Sequence, residues 1–211
     1  MLIVSLTGGI GCGKSVAAKV FQERGCYVHQ ADKAAHSLME PHQPAWKKIV
    51  SHFGHHILNQ DNTVNRARLG SIIFSNPQKR EYLNSIIHPL VLQKKKEIIN
   101  QLEREKKYKI FISEAALTIE AGYSHFFDKV VVTYCDEEVQ IQRLMERDHI
   151  NKTEAQKKIT SQMPSQKKLE YADYIIDTSG EIQKTVEQTE RIYQRLILDY
   201  QLKQKGFSQK I

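Results

Sequence analysis

A glycine-rich stretch near the start of the chain has the residue types and the spacing that bind phosphate. Residues 8–15 read GGIGCGKS and match the pattern G-x-x-x-x-G-K-[ST]. Glycines let successive backbone N–H groups approach phosphate oxygens closely, and a helix that follows directs its positive dipole end at the anion. In such a loop Lys14 reaches the β- and γ-phosphates, and the hydroxyl of Ser15 is a ligand for Mg²⁺.

The segments around this stretch are those that a phosphate-binding loop requires. Residues 2–6 form a short apolar run typical of a buried strand, and 14–25 place apolar residues on one face of a helix. A second short strand at 26–29 completes a βαβ unit, which predicts a parallel sheet. The rival dinucleotide-binding pattern G-x-G-x-x-G fails, because Lys14 stands where it needs a third glycine.

Three more segments rich in β-branched and apolar residues predict further strands, at 109–114, 129–135 and 174–180. Together with the first two strands they indicate an α/β core. A long amphipathic helix closes the chain, and only the last residues, 203–211, are expected to be frayed. The apolar residues of that helix recur near a period of 3.6 and are Ile182, Val186, Ile192 and Leu196.

The middle of the chain, 36–106, is predicted to be a helical insertion between strands. One of its helices starts with Asn76 as the cap and Pro77 at the first helical position. The pair His88-Pro89 is expected to end this helix, because proline lacks the N–H that would continue it.

The segment 138–164 is predicted to be a lid that closes over the bound nucleotide. Arg143 and Arg147 are four residues apart on one helix face. Their forked donors suit phosphate oxygens, and closure of a lid excludes water from the transfer. The alternative is that both are surface arginines that bridge Glu138 or Glu146.

The predicted organisation therefore has a core, an insertion and a lid. The second helix of the lid, within 151–163, is expected to start with Thr153 and Gln156 as a capping box. The segments left for the nucleotide-binding core are 1–35, 107–137 and 165–211.

Asp32 is the carboxylate best placed to act on an acceptor hydroxyl. It directly follows the second predicted strand, and ligands of parallel sheets bind at the carboxyl ends of the strands. Such a carboxylate accepts the proton of the hydroxyl or holds Mg²⁺ through water; the alternative is a helix N-cap. No NKxD-type guanine motif follows the fourth strand, and the chain is short for a motor, so a small-molecule kinase is favoured over a GTPase or a motor.

Composition limits the class of protein. The chain has 211 residues, 40% of them apolar, and no run near the ~18 apolar residues of a membrane span. Its first apolar run is too short for a signal peptide, and its three cysteines have neither disulfide nor zinc spacing. We expect a cytoplasmic protein, a monomer or weak homo-oligomer, with no membrane partner.

The net charge of +7 fits either nucleic acid or a small polyanionic ligand. A nucleic-acid-binding ATPase is therefore an alternative from another class. Such a protein would carry aromatic residues interleaved on a basic face, and we find no such face; the densest basic clusters, at 93–98 and 103–109, both contain glutamates and are typical of a solvated helix face. No nucleic-acid partner is expected.

Six motifs, in order over residues 1–180, resemble the dephospho-coenzyme A kinase family of P-loop small-molecule kinases: TGGIGCGKS, ADKAAH, NRARLGSIIF, LNSIIHP, QRLMERD and ADYIIDTSG. The resemblance implies a nucleotide-kinase-like three-layer fold: a five-stranded parallel sheet, a helical acceptor-binding insertion and a lid. It implies ATP- and Mg²⁺-dependent phosphorylation of the ribose 3′-hydroxyl of dephospho-coenzyme A, the last step of coenzyme A synthesis. Another P-loop kinase, acting on a nucleotide or a small alcohol, is the alternative.

The resemblance also implies roles for single residues. Asp32 matches the carboxylate proposed as the base, and Arg147 matches the lid arginine. Arg66 and His88 match basic positions of the acceptor region, where Glu120 is also retained. The residues that match the ATP-binding loop are Gly11, Cys12, Gly13, Lys14, Ser15 and Val16.

Five positions depart from the family pattern. Cys12 stands where serine is usual, and Val16 stands where threonine is usual, which leaves metal ligation to the serine between them. Near the third strand, Glu114 and Ala116 replace an aspartate and a proline. Thr178 replaces an asparagine on the side of the adenine.

Overall fold

The structure is a computed structural model that describes residues 1–206, with the exception of the side chain of Phe74. The predicted frayed end at 203–211 falls largely on 207–211, outside the described residues. The strands are β1 (Leu2–Gly8), β2 (Tyr27–Gln30), β3 (Ile110–Glu114), β4 (Lys129–Tyr134) and β5 (Tyr174–Asp177). The α-helices are α1 (Lys14–Glu23), α2 (Ala31–Leu38), α3 (Pro44–Phe53), α4 (Arg66–Ser75), α5 (Pro77–Glu105), α6 (Glu137–Asp148), α7 (Lys152–Thr160), α8 (Ser165–Leu169) and α9 (Ile182–Gln204).

The five strands form one parallel sheet in the order β2-β3-β1-β4-β5, which confirms the predicted fold class. Strand β1 lies at the centre, with Leu6 opposite Glu114 of β3 and opposite Val131 of β4. Because all strands run the same way, the loops after β1, β3 and β4 leave the same edge of the sheet. The predicted phosphate-binding loop is the first of these.

Helices or short helical segments cover both faces of the sheet. Alternate side chains of a strand point to opposite faces, and Leu2, Val4 and Leu6 are buried in one core with α1 and α9. On the other face Val130 and Val132 of β4 form a smaller core. Met163, Leu169 of α8 and Ala172 pack against that smaller core. The sheet is therefore the middle of three layers.

Helix α9 differs from its predicted pattern at its first turn. Ile192 and Leu196 are buried as predicted, but the side chain of Ile182 is 68% exposed. Thr185 and Thr189 face the core instead. The Thr189 hydroxyl donates to the Thr185 carbonyl at 2.7 Å, and this internal hydrogen bond lets a polar side chain be buried.

The chain divides into two compact units. The sheet belongs to the unit formed by 1–29 and 102–211, and the other unit is 30–101. The second unit has an apolar core of its own, which packs α3, α4 and the first part of α5 together. Its buried residues are Ala45, Ile49, Val50, Phe53, Ile57, Leu58, Leu69, Leu83, Ile86 and Ile87.

The predicted break at His88-Pro89 is wrong, because α5 runs unbroken from Pro77 to Glu105 with Pro89 inside it. The predicted start is confirmed: the side chain of Asn76 accepts the backbone N–H of Lys79 at 3.0 Å. Residues on both sides of Pro89 pack into the apolar core of the unit, Ile86 and Ile87 before it and Leu90 and Val91 after it. This packing outweighs the hydrogen bond that proline cannot donate.

Two shorter elements also differ from their predictions. The capping box of α7 is formed by Asn151 and Glu154 instead of Thr153 and Gln156: each side chain accepts the backbone N–H of the other residue, at 3.0 and 3.1 Å. Asparagine competes with threonine as a cap, and here the helix starts two residues earlier. Helix α8 was not predicted, because five residues are too few to show a helical period.

The two longest helices, α5 and α9, contain charged residues in both their first and their second halves. Within residues 1–206, no helix is both long enough and apolar enough to cross a membrane.

Replacement of Pro89 by alanine tests whether the proline strains α5. We expect Pro89→Ala to raise the free energy of unfolding by about 1–3 kcal/mol, because alanine restores the missing N–H and removes the ring clash. Urea unfolding followed by circular dichroism measures the change. The control Pro77→Ala should change stability little, because proline is favoured at the first helical position. Equal effects of the two variants would contradict a strained α5.

Candidate nucleotide-binding site

The loop between β1 and α1 takes a path that only glycine permits at two of its positions. A Cβ on Gly8 would lie 2.2 Å from the side-chain oxygen of Thr133 on the neighbouring strand β4. Gly13 has a φ of 66°, in the left-handed region, and a Cβ there would meet Thr178 at 3.2 Å. Gly13 is also the N-cap of α1, so the helix begins directly behind the loop and directs its N-terminus at it.

Lys14 and Ser15 follow at the start of α1. The Nζ of Lys14 donates to the carbonyl oxygens of Gly8 and Gly9, at 3.0 and 2.9 Å. The lysine side chain therefore folds back over the loop, where it is positioned to contact an anion. Ser15 is exposed in the first turn, Val16 is half-buried, and the thiol of Cys12 is buried.

Both backbone polar groups of Ile10, its N–H and its carbonyl, are hydrogen-bonded to glutamine side chains. Its N–H donates to Oε1 of Gln162 at 2.9 Å, and its carbonyl accepts from Nε2 of Gln140. Its side chain packs against an apolar cluster of α6 and α7 that includes Leu144 and Ala155. The first half of the loop is thus attached to α6, to α7 and to the segment before α8.

Neither glutamine was predicted from the sequence. Gln140 is 2% exposed on α6, among the buried residues Ile141 and Leu144. A polar residue on the apolar stripe of a helix is a signal that could have indicated a buried hydrogen bond. Gln162 follows α7 and gives no comparable signal.

Arg143, on α6, joins the loop to the end of β5. Its guanidinium donates to the carbonyl and the hydroxyl of Thr178, at 2.6 and 3.2 Å, and to the carbonyl of Gly11 at 3.4 Å. The alternative pairing of Arg143 with Glu138 or Glu146 is wrong. The arginine lies at the predicted phosphate-binding loop, and Thr178, one of the departures from the family pattern, is its partner.

Arg147, one turn further along α6, pairs with its neighbour Asp148. The Nε–Oδ1 distance is 2.7 Å, and Asp148 also accepts from Nζ of Lys158 on α7 at 2.7 Å. These two cations, Arg147 first, hold the pKa of the Asp148 carboxyl well below its usual range. The alternative that Arg147 is a surface arginine bridging Glu138 or Glu146 is therefore wrong in its partners, but the side chain is exposed and paired with a carboxylate, as that alternative expects.

Glu120 is engaged by a lysine that sequence reasoning did not single out. Lys168 is fully buried, and its Nζ lies 2.7 Å from Oε1 of Glu120 and donates to the carbonyl of Ala116 at 2.7 Å. The same carboxylate oxygen accepts the N–H of Met163 at 3.1 Å. Because a buried charge is costly without a partner, these contacts hold the segment after β3 against α8.

Asp32 belongs to the other unit and lies in the first turn of α2, with an exposed side chain. The N-cap position of that helix is Gln30, so the alternative that Asp32 is the cap is wrong. The helix begins two residues earlier than a cap at Asp32 would require.

Arg66 lines an open pocket of about 450 Å³ within unit 30–101. His36 lines the same pocket, and burial, together with the positive charge of Arg66, lowers the pKa of its imidazole. His88 lies on α5, where burial lowers its pKa, and is not among the described residues that line this pocket. The remaining lining residues are Met39, Glu40, Asn59, Thr63, Val64 and Asn65.

The hydrogen bond from Gln140 to Ile10 gives a testable prediction about the loop. We expect Gln140→Ala to weaken ATP binding about tenfold, because the Ile10 carbonyl loses a buried donor that fixes the loop. Isothermal titration with ATP measures the effect. Gln142→Ala is the matched control on the same helix, since its amide bonds Glu146 at the surface. Equal affinities of the two variants would show that the bond does not fix the loop.

Comparisons with known proteins show which family the chain resembles. The profile of the Dephospho-CoA kinase family matches residues 2–184. A Dephospho-CoA kinase of Halalkalibacterium halodurans is 40% identical over 194 residues, which are 92% of this chain and 96% of that protein.

Solved structures give the same result. The dephospho-CoA kinase from Campylobacter jejuni superposes with a TM-score of 0.66 at 28% identity, over 92% of this chain and 96% of that one. The protein TT1252 from Thermus thermophilus shares the fold, with a TM-score of 0.77 at 22% identity over the same shares of the two chains. The chain therefore belongs to the dephospho-CoA kinase family.

Proposed function

We propose that this protein transfers the γ-phosphoryl group of ATP to the ribose 3′-hydroxyl of dephospho-coenzyme A, which yields coenzyme A and ADP. Membership of the family supports a kinase that acts on dephospho-CoA in coenzyme A biosynthesis, with ATP as co-substrate. The single observation that carries the assignment of the site is the glycine loop between β1 and α1, with Lys14 folded over it.

The loop and α1 bind the triphosphate in this proposal. Backbone N–H groups from Gly11 to Val16 surround the β-phosphate, for which those of Cys12 and Val16 release the carbonyls of Gly9 and Gly13. Lys14 likewise exchanges its two carbonyl partners for phosphate oxygens. The loop acts through its backbone, so a cysteine at position 12 is compatible with this role. Arg143 supports the nucleotide site through Gly11 and Thr178.

Ser15 is the residue that would hold Mg²⁺. Its hydroxyl is exposed in the first turn of α1 and is a hard oxygen donor of the kind magnesium prefers. Magnesium in kinases keeps several waters and takes one or two protein ligands together with substrate phosphates, so one hydroxyl is a sufficient donor. When bound, the ion would offset negative charge on the β- and γ-phosphates.

Asp32 is the proposed base. Its carboxylate is exposed in the first turn of α2, directly after the second strand. It orients the acceptor hydroxyl and takes its proton as the new O–P bond forms.

Arg147 is proposed to stabilise the transferring group. Its side chain is 58% exposed and held by Asp148, so it can exchange that partner for phosphate oxygens without a buried charge being stranded. An arginine in this role contributes on the order of 10³–10⁵ in rate.

Acceptor binding is assigned to the helical unit and to the segment after β3. Arg66 offers a cation in the pocket of about 450 Å³, which suits the anionic diphosphate of dephospho-coenzyme A. His88 is a second basic position on the same unit. Glu120 keeps Lys168 as its partner, so we assign it a supporting role on the acceptor side.

Removal of the charge of Asp32 tests the base. We expect Asp32→Asn to bind ATP nearly as the wild type does, while kcat falls by at least ~10²-fold because the proton acceptor is lost. Steady-state kinetics and ATP titration measure the two effects. Glu81→Gln, an exposed carboxylate of the same unit, is the control and should keep the wild-type rate. A near-normal kcat in Asp32→Asn would remove Asp32 from the mechanism.

A comparison of acceptors tests the reaction itself. In a coupled ADP-release assay we expect dephospho-coenzyme A to exceed nucleotides and small alcohols in kcat/KM, because its diphosphate supplies an anion for Arg66. Its 3′-deoxy analogue should give no turnover. Preferred turnover of another acceptor would favour a different P-loop kinase, and ATP hydrolysis stimulated by RNA or DNA would favour the nucleic-acid-binding alternative.

A further inference from the structure

Two thiols meet behind the phosphate-binding loop. Cys12 lies in the loop, Cys135 directly follows β4, and their Sγ atoms are 3.4 Å apart. Both side chains are buried, with 0% and 1% exposure. The third cysteine, Cys26, is buried in the separate apolar core between α1 and the sheet. The mechanism proposed above uses the backbone at Cys12 but neither sulfur atom.

The two sulfur atoms differ in their surroundings. Cys135 donates its S–H to Sγ of Cys12, which also lies 3.9 Å from the hydroxyl of Ser165. The hydrogen bond from Cys135 is the largest cause that lowers the pKa of Cys12, and the charge of Lys14 acts in the same direction. The hydrogen bond to Cys12 and burial raise the pKa of Cys135. Cys12 is thus the better nucleophile of the two, and Cys135 is the thiol that donates its proton toward it.

We propose that Cys12 and Cys135 are a redox modification site, in which oxidation by a small hydroperoxide closes a disulfide and lowers the affinity of the loop for ATP. The inference goes beyond the proposed kinase reaction. The effect of the disulfide on ATP affinity rests on the proposed nucleotide binding at the loop. Formation of the disulfide itself does not depend on that proposed function.

The chemistry needs one hydroperoxide as the oxidant. The Cys12 thiolate attacks the terminal oxygen of the peroxide, the O–O bond breaks, and the leaving alkoxide or hydroxide takes a proton to become an alcohol or water. The sulfur of Cys135 then attacks the sulfenic acid at Cys12, the S–O bond breaks, and water leaves with the proton of Cys135. The two thiols lose two electrons in total, and these electrons reduce the O–O bond.

Closure of the disulfide displaces the loop. The S–S bond is about 2.05 Å long, so the two sulfurs must approach by about 1.4 Å from their present 3.4 Å. Cys12 lies between Gly11 and Gly13, both with positive φ, so the loop has the backbone freedom to move. The N–H groups that would surround a phosphate move with it. By linkage, bound ATP disfavours the disulfide as much as the disulfide disfavours ATP.

Burial selects the oxidant. Because both cysteines are closed to water, a reagent reaches them only when the loop opens locally; hydrogen peroxide needs a small opening, whereas a maleimide or a bulky disulfide reagent needs a much larger one. Reaction with the small reagent alone, and protection by ATP, therefore distinguish this pair from exposed cysteines.

The test uses the full chain treated with hydrogen peroxide, then denatured, alkylated, digested and mapped by mass spectrometry. We expect a cross-linked peptide pair that contains Cys12 and Cys135, an alkylated Cys26, and less cross-link when ATP is present. Titration with ATP should show an affinity about tenfold lower after oxidation, which dithiothreitol restores.

Two variants sharpen the result. Cys135→Ser should bind ATP as the reduced wild type does and should keep that affinity after peroxide. Cys26→Ala is the matched control and should still lose affinity. If Cys135→Ser does not fold, the peptide map of the wild type decides alone. Oxidation of Cys12 to sulfinic acid without a cross-link, or an unchanged ATP affinity of the cross-linked protein, would overturn the proposal. A reduced wild type that does not bind ATP would instead refute the nucleotide site.

Discussion

A loop that turns its backbone N–H groups toward a ligand has few of those groups left to hold its own shape. Within this loop the N–H of Cys12 donates to the carbonyl of Gly9 at 3.2 Å, and the other attachments come from outside the loop. Ile10 is fixed through its N–H, its carbonyl and its side chain, and Gly11 accepts from Arg143. Gly8, the last residue of β1, pairs with Thr133 of the neighbouring strand β4, so the start of the loop is fixed to the sheet. These attachments leave the second half of the loop and the start of α1 to bind an anion.

Helix α6 supplies most of this support and also carries the predicted lid arginine. Gln140, Arg143 and Leu144 are spaced three and four residues apart, so they share the face that contacts the loop. Arg147 follows one turn later and pairs with Asp148, which also binds Lys158 of α7. Helix α6 thus contacts both the nucleotide loop and α7. Its helical period determines which of its side chains face the loop and which face α7.

The strands and the loop motif predicted from local patterns agree with the structure, whereas contacts between residues distant in sequence were not predicted. All five strands and the loop motif were predicted, because short apolar runs and glycine spacing are local signals. Gln162 contacts a residue 152 positions away, and no local pattern encodes such a pair. The error at Pro89 has the same origin: local propensity predicts a break, but packing on both sides of the proline keeps α5 continuous. Lys168 was not singled out because its partner, Glu120, lies in another segment.

The order of strands in the sheet has a consequence for synthesis of the chain on the ribosome. Strand β1 is synthesised before the helical insertion, yet both of its neighbours, β3 and β4, are encoded after it. The residues that support the loop, from Gln140 to Thr178, come later still. Unit 30–101 has a core formed from its own residues and contacts that are close in sequence, which favours early folding. The motif nearest the start of the chain is therefore among the last parts of the protein to take its final shape.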